Sequence, residues 1–142
     1  MNKQGDLSVI TKVKEVCSYI LTITDKSPKR FRFTLVSRLQ NYSLTIIEKL
    51  IMANEIYVCN NRQEVDENAL LERRRLQKSA MTHIKLLAYI AQVTMEQQCI
   101  LPKQYEQITK KLYDCQNLLG AWVKSDAKRY TNCLLYTSPS PR

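Results

Sequence analysis

A chain of 142 residues, 44% of them hydrophobic, is long enough for one domain with its own core. Its 22 lysines and arginines against 13 acidic residues give a formal charge of +9, which raises affinity for polyanions without conferring base specificity. No apolar run reaches the roughly 18 to 20 residues of a membrane span, and the start MNKQGDLSV lacks the apolar segment of a signal peptide, so a cytoplasmic protein with no membrane partner is expected.

Two glycines and four prolines punctuate the chain, and Pro139 and Pro141 lie at its very end. That scarcity argues for an all-α fold. From about Asp6 to Thr24, Val9, Val13, Val16, Ile20 and Ile23 recur at alternating spacings of four and three, the mark of one buried helix face. Their β-branching lowers helix propensity, so packing must hold this helix. TDKSPK breaks the pattern. A second helix is predicted over Ser27 to Tyr57, with Ser27 as its cap and Pro28 at the first helical position. Leu35, Leu39, Tyr42, Ile46, Leu50, Ala53 and Tyr57 form one apolar stripe of this helix. Phe33, Val36, Leu44, Ile47, Ile51 and Val58 form another, roughly 100° around the axis. About half the circumference is then apolar, more than the edge of a small bundle needs, and Phe33, Val36, Leu44, Ile47 and Ile51 are the candidate oligomer interface.

A turn at Cys59, Asn60 and Asn61 ends this helix. A third begins either at a capping box of Asn61 and Glu64 or near Asp66, and carries Ala69, Leu76, Ala80, Ile84, Leu87, Ala91 and Met95 through to Glu96 or Gln97. QQCILPKQ intervenes, with Pro102 in a first-turn position. Leu101, Tyr105, Ile108, Leu112, Cys115, Leu119 and Trp122 then give the most regular periodicity in the chain. Gly120 interrupts the last turn and reads as a point of close packing, at a propensity cost of roughly 1 kcal/mol. Four amphipathic helices on short connections predict an antiparallel up-down-up-down four-helix bundle, a single domain over residues 1–130. Residues 131–142 are expected to be an unstructured tail. From about Cys133 that tail, CLLYTSPSPR, resembles a translated sequencing-library adapter, and since Arg142 is its one charged residue the basic character does not depend on it.

Little in the sequence serves catalysis. There is one histidine, His83, and no serine elbow, glycine-rich phosphate loop or HExxH. The acidic residues form no pair at helical spacing on an apolar face, as a carboxylate metal site in a bundle requires. Five cysteines show no CxxC and no histidine at metal spacing, which reads as buried free thiols. A non-enzymatic protein without metal or cofactor is expected, with His83 a packed or interhelical hydrogen-bonding residue.

The basic residues say more. In an up-down-up-down bundle the first and third loops share an end, which brings Lys26, Lys29, Arg30 and Arg32 towards Lys103 with Asp25 as the acidic neighbour. A second cluster, Arg73, Arg74, Arg75 and Lys78, fans over roughly 200° of the third helix. Arg73 falls on the apolar stripe, so it must snorkel, pair with a carboxylate such as Glu48, or meet a partner subunit. Candidate phosphate contacts are therefore Lys29, Arg30, Arg32, Arg74, Arg75, Lys78, Lys103, Lys110 and Lys111. Ordinary solvated faces, or a surface for an acidic protein, would have the same composition. Tyr42, Tyr57, Tyr105 and Trp122 all fall on core stripes, so no aromatic platform for single strands is read.

SPKRFRF near the start of the second helix, Ala53-Asn54 near its end, the basic third helix, KQY at Lys103 to Tyr105 and LLGAWVKS at Leu118 to Ser125 occur in order over about residues 7 to 125. This order and spacing resemble a bacterial four-helix-bundle family that contains the accessory variability determinant (Avd) of diversity-generating retroelements and the proteins encoded in intervening sequences of 23S rRNA. Leu101 before Pro102 departs from the family pattern, which tends to place a polar capping residue there. The resemblance implies a homopentameric barrel of four-helix protomers whose basic surface engages RNA or DNA and, in the retroelement branch, a reverse transcriptase. The sequence does not choose between the branches. The leading expectation is a basic nucleic-acid-binding accessory protein partnering a retroelement reverse transcriptase. The alternatives are an oligomeric helical scaffold that recruits an acidic protein, or a ribosomal-RNA intervening-sequence protein of unknown role.

Overall fold

Val9, Val13, Val16 and Ile20 are at most 2% exposed and define the buried side of α1 (Lys3–Ile23). The computed structural model describes the backbone of residues 3–60, 62 and 64–137, and the side chains of 8–60, 62 and 64–130. Four α-helices make up these residues, with no strand among them: α1, α2 (Ser37–Asn54), α3 (Glu67–Glu96) and α4 (Pro102–Thr137). α1 packs on α2 and α4, and α3 packs on the same two, with no backbone approach across either diagonal among the described residues. Leu39, Ile46 and Leu50 of α2, Ile84 and Leu87 of α3, and Ile108 and Leu119 of α4 fill the centre at 1% exposure or less. Each such side chain contributes roughly 1.5–3 kcal/mol by leaving water. No helix among the described residues is long and apolar enough to cross a membrane.

The second predicted helix is corrected at both ends. α2 starts at Ser37, after a 3₁₀ turn over Lys29–Phe31 and a π-helical segment over Arg32–Val36. Ser27 is not its cap: the hydroxyl donates instead to the Cys99 carbonyl at 3.2 Å. In the π segment Ser37 N–H donates to the Arg32 carbonyl, five residues back, which inserts one residue and turns everything before it by about 100°. In an unbroken α-helix Arg32 would fall about 20° from Leu39, on the core stripe. The insertion gives that direction to half-buried Phe31 and leaves Arg32 in solvent. At the other end α2 stops at Asn54, and Tyr57, expected on the core stripe, is 84% exposed.

The link to α3 is a small hairpin. Asn60 Oδ1 accepts from the N–H groups of Arg62 and Glu64, and Cys59 and Val65 form an isolated antiparallel bridge. Of the two starts expected for α3, the one at Asp66 occurs, its carboxylate accepting from the N–H groups of Asn68 and Ala69 at 3.0 and 3.1 Å. Asn61, the other candidate cap, lies outside the described residues. α3 ends in a Schellman motif, with Gln98 N–H donating to Met95 and Cys99 N–H to Thr94. Gln98 takes the left-handed position at φ 63°, where glycine is the usual residue. α4 then opens without a polar cap at Leu101. Gln104 supplies the missing contact by reaching back to accept from Leu101 N–H at 2.8 Å, half of a capping box.

Two further expectations are corrected. A Cβ at Gly120 would meet nothing within 4 Å, so close packing does not explain this glycine. The tail expected to be unstructured from residue 131 is helical through Thr137, as the end of α4, while residues 138–142 lie outside the described ones.

Candidate nucleic-acid interface

The loop after α1 is held in place by short polar contacts. Thr24 Oγ1 donates to the Ile20 carbonyl at 2.6 Å and accepts from Gln40 Nε2 at 3.0 Å, which fastens the loop to α2. Ser27 fastens it to the loop after α3 through the Cys99 carbonyl, which the left-handed turn at Gln98 presents. The two loops therefore meet, and their cations gather at one end of the helices. Lys26, Lys29, Arg30, Arg32 and Lys103 are all exposed there, beside the exposed Asp25. Among the described residues no carboxylate lies within ion-pairing distance of Lys29, Arg30, Arg32 or Lys103. The Arg30 guanidinium sits 4.7 Å from the centroid of the Phe31 ring, a stacking contact that leaves its N–H edge free. Burial pushes the Cys99 thiol up and the Arg30 charge pulls it partly back, an electrostatic sign that Arg30 stands near the α3–α4 loop.

Lys110 follows Lys103 on the same line of α4, two turns on, beside an open depression lined by Glu106, Gln107, Thr109 and Tyr113. Lys111 is half-buried with its ammonium 5.5 Å from the Tyr19 ring centroid, where it seals the α1–α4 seam. Arg74, Arg75 and Lys78 are exposed on α3, with Arg75 paired to Glu72 at 3.2 Å. Arg74 stands 22 residues before the end of α3 at Glu96, so this group is roughly 33 Å along the helix from the loop cluster. Eight of the nine candidate contacts thus fall in two separated groups, and Lys111, in the α1–α4 seam, is in neither.

Arg73 belongs to neither. It is 4% exposed and pairs with Asp126, 1% exposed, through two contacts: Nε to Oδ2 at 2.7 Å and Nη2 to Oδ1 at 3.0 Å. Nη1 donates to the Ala53 and Ile56 carbonyls at 3.3 Å each, tying down the end of α2. The guanidinium also lies 5.0 Å from the Trp122 ring centroid and 5.8 Å from that of Tyr130, while Gln77 Nε2 donates to Asp126 Oδ2. The carboxylate partner is therefore Asp126 of α4, not Glu48, which is exposed. Gln77 Oε1 and Trp122 Nε1 are buried without a hydrogen-bond partner among the described residues, so the cluster is not fully satisfied.

Of the aromatics, Trp122 is buried and Tyr42 and Tyr105 are half-buried against the core, whereas Phe33 is 86% exposed. Val36, assigned with Phe33 to an oligomer face, is buried within the chain at 6%, and Ile47 is half-buried against the core. Leu44 and Ile51 are exposed. His83 is half-buried, with Nδ1 2.8 Å from the Ser79 carbonyl and its ring edge-on to Tyr42. Because that carbonyl accepts, Nδ1 carries the proton. Among the described residues no three His, Cys, Asp or Glu side chains are placed to share a metal ion. No protein-family model, curated protein or solved structure matches this chain.

Proposed function

We propose that this protein is a non-enzymatic, basic accessory factor that binds the phosphate backbone of RNA or DNA at the end of its helices where the α1–α2 and α3–α4 loops meet. The observation that carries this reading is the Ser27 to Cys99 hydrogen bond, which gathers Lys29, Arg30, Arg32 and Lys103 around one site with no paired carboxylate among the described residues. Charges left in water and unpaired are poor stabilisers of a fold but good ligands for phosphate. The reading takes the helices as an antiparallel up-down-up-down bundle, and the same hydrogen bond supports that topology, as does Arg73 near the start of α3 meeting Asp126 far along α4. The resemblance to the Avd and intervening-sequence family extends it to a reverse transcriptase partner in the cytoplasm.

Four phosphate contacts predict that affinity for nucleic acid falls roughly 50- to 150-fold between 50 and 200 mM salt. Titration of RNA and of DNA at these two salts tests this, and no binding at low salt would overturn the proposal.

A second reading, an oligomeric scaffold for an acidic protein, draws on the exposed Leu44, Ile51 and Met52 of α2. The pentamer implied by the family resemblance would cover them. Leu44→Glu with Ile51→Glu is then expected to yield monomer in light scattering with helicity intact. A defined protein partner that persists through nuclease treatment would favour the scaffold over the nucleic-acid reading.

A further inference from the structure

Phe33 is the most exposed large hydrophobic residue described, at 86%, and it stands apart from the exposed apolar residues of α2. In an unbroken α-helix it would lie about 20° from Leu44, along the apolar line that continues to Ile51. Phe33 lies within the π segment over Arg32–Val36, whose added residue turns it off that line. The same inserted residue takes Arg32 off the core stripe. The register break therefore accompanies an exposed guanidinium and an exposed aromatic ring on successive residues, with the exposed Lys29 and Arg30 four and three positions before Phe33. π insertions have poorer hydrogen-bond geometry than α-helix and concentrate at functional sites. An exposed ring with three exposed cations within four residues of it along the chain suits a flat, apolar ligand that carries negative charge on its edge. An unpaired nucleobase with its phosphate meets that description, whereas a duplex offers phosphates but no free base face.

Resting on the phosphate-binding reading, we infer that Phe33 is a stacking platform for a base of single-stranded nucleic acid, with Lys29, Arg30 and Arg32 holding the flanking phosphates. The site then prefers single strands to duplexes and is indifferent to sequence, since every base has a face to stack.

Fluorescence anisotropy with three labelled probes of equal length tests this: an oligothymidylate, the same backbone lacking bases, and a duplex. The wild-type protein is expected to bind the oligothymidylate more tightly than the abasic strand. Phe33→Ala and Phe33→Leu are each expected to weaken oligothymidylate binding roughly 5- to 150-fold, the contribution of one stacked base, with duplex and abasic affinities unchanged. Phe33→Trp is expected to retain binding. Loss in Phe33→Ala but not in Phe33→Leu would mean that the ring serves only as apolar surface and would overturn stacking. So would equal wild-type affinity for the abasic and base-bearing strands, or an equal effect of Phe33→Ala on all three probes. Failure of the underlying reading looks different: no probe binds at low salt, or the combined Lys29→Glu, Arg30→Glu and Arg32→Glu variant binds all three as the wild type does. Because Phe33 touches so little of the fold, its variants are expected to keep the wild-type melting curve.

Discussion

The two regions richest in arginine sit on the same small four-helix fold and are built in opposite ways. At one, Arg73 is enclosed by Asp126, Gln77, Trp122 and two main-chain carbonyls. At the other, Arg30 and Arg32 are exposed with no acidic partner among the described residues. A buried guanidinium must have its charge matched and its donors filled, or the fold loses several kcal/mol, so Arg73 is committed to structure. An exposed one contributes almost nothing to stability and keeps its donors for a ligand. Three consecutive arginines, 73 to 75, therefore have different roles, and burial rather than residue type assigns them.

The largest expected effect comes from breaking the buried side. Arg73→Ala leaves Asp126 buried and unpaired, which should cost about 3–5 kcal/mol in urea unfolding. Removing both charges, as Arg73→Met with Asp126→Leu, should recover most of that loss, because desolvating the pair offsets much of its attraction. A double variant as unstable as the single one would show that the carbonyl contacts to Ala53 and Ile56, not the ion pair, hold the α2 end.

The next effects sharpen the exposed side. Gln98→Gly relieves a left-handed residue at the turn that presents the Cys99 carbonyl, and should stabilise by about 1 kcal/mol. Gly120→Ala should add about 0.5–1 kcal/mol by raising helix propensity where a methyl group meets nothing. By contrast, Arg30→Ala and Arg32→Ala should each leave stability within about 0.5 kcal/mol of wild type, measured by the same urea midpoint. An effect that vanishes at neutral pH concerns Cys115, whose thiol is pushed up to about 12 chiefly by burial, with Asp114 and Glu15 adding to it. The folded thiol keeps its proton where the unfolded one, at an ordinary 9.0, gives it up, so the unfolded state binds fewer protons between those values. Stability should accordingly fall as pH rises from about 9 towards 12, and Cys115→Ala should remove that part of the slope.

Much of the fold could be read from spacing. The stripes through Val9 and Ile20, and through Ile108 and Leu119, are buried as their periodicity requires, and Asp66 was one of two starts legible for α3. Hidden features were those that depend on distant or unusual backbone. A carboxylate partner was one of three outcomes expected for Arg73, but Asp126 lies 53 residues away and nothing local singles it out from Glu48. The Schellman turn carries glutamine where glycine would have signalled it. The π insertion has no proline or glycine to announce it, and because it resets the register, Phe33 was assigned to the stripe of Leu44 and Ile51, off which it is turned. That the first and third loops meet was an expectation from helix order, whereas their fastening through Ser27 was hidden behind a more ordinary role as a cap.

The central claim is that the loop end, and not the arginine-rich side of α3, takes nucleic acid. Charge reversal compares them directly, with Lys29→Glu, Arg30→Glu and Arg32→Glu in one protein and Arg74→Glu, Arg75→Glu and Lys78→Glu in another, each titrated with the same single strand at low salt. The first variant is predicted to lose binding and flatten the salt dependence while the second stays close to wild type. Retained binding in the first with loss in the second would contradict the claim.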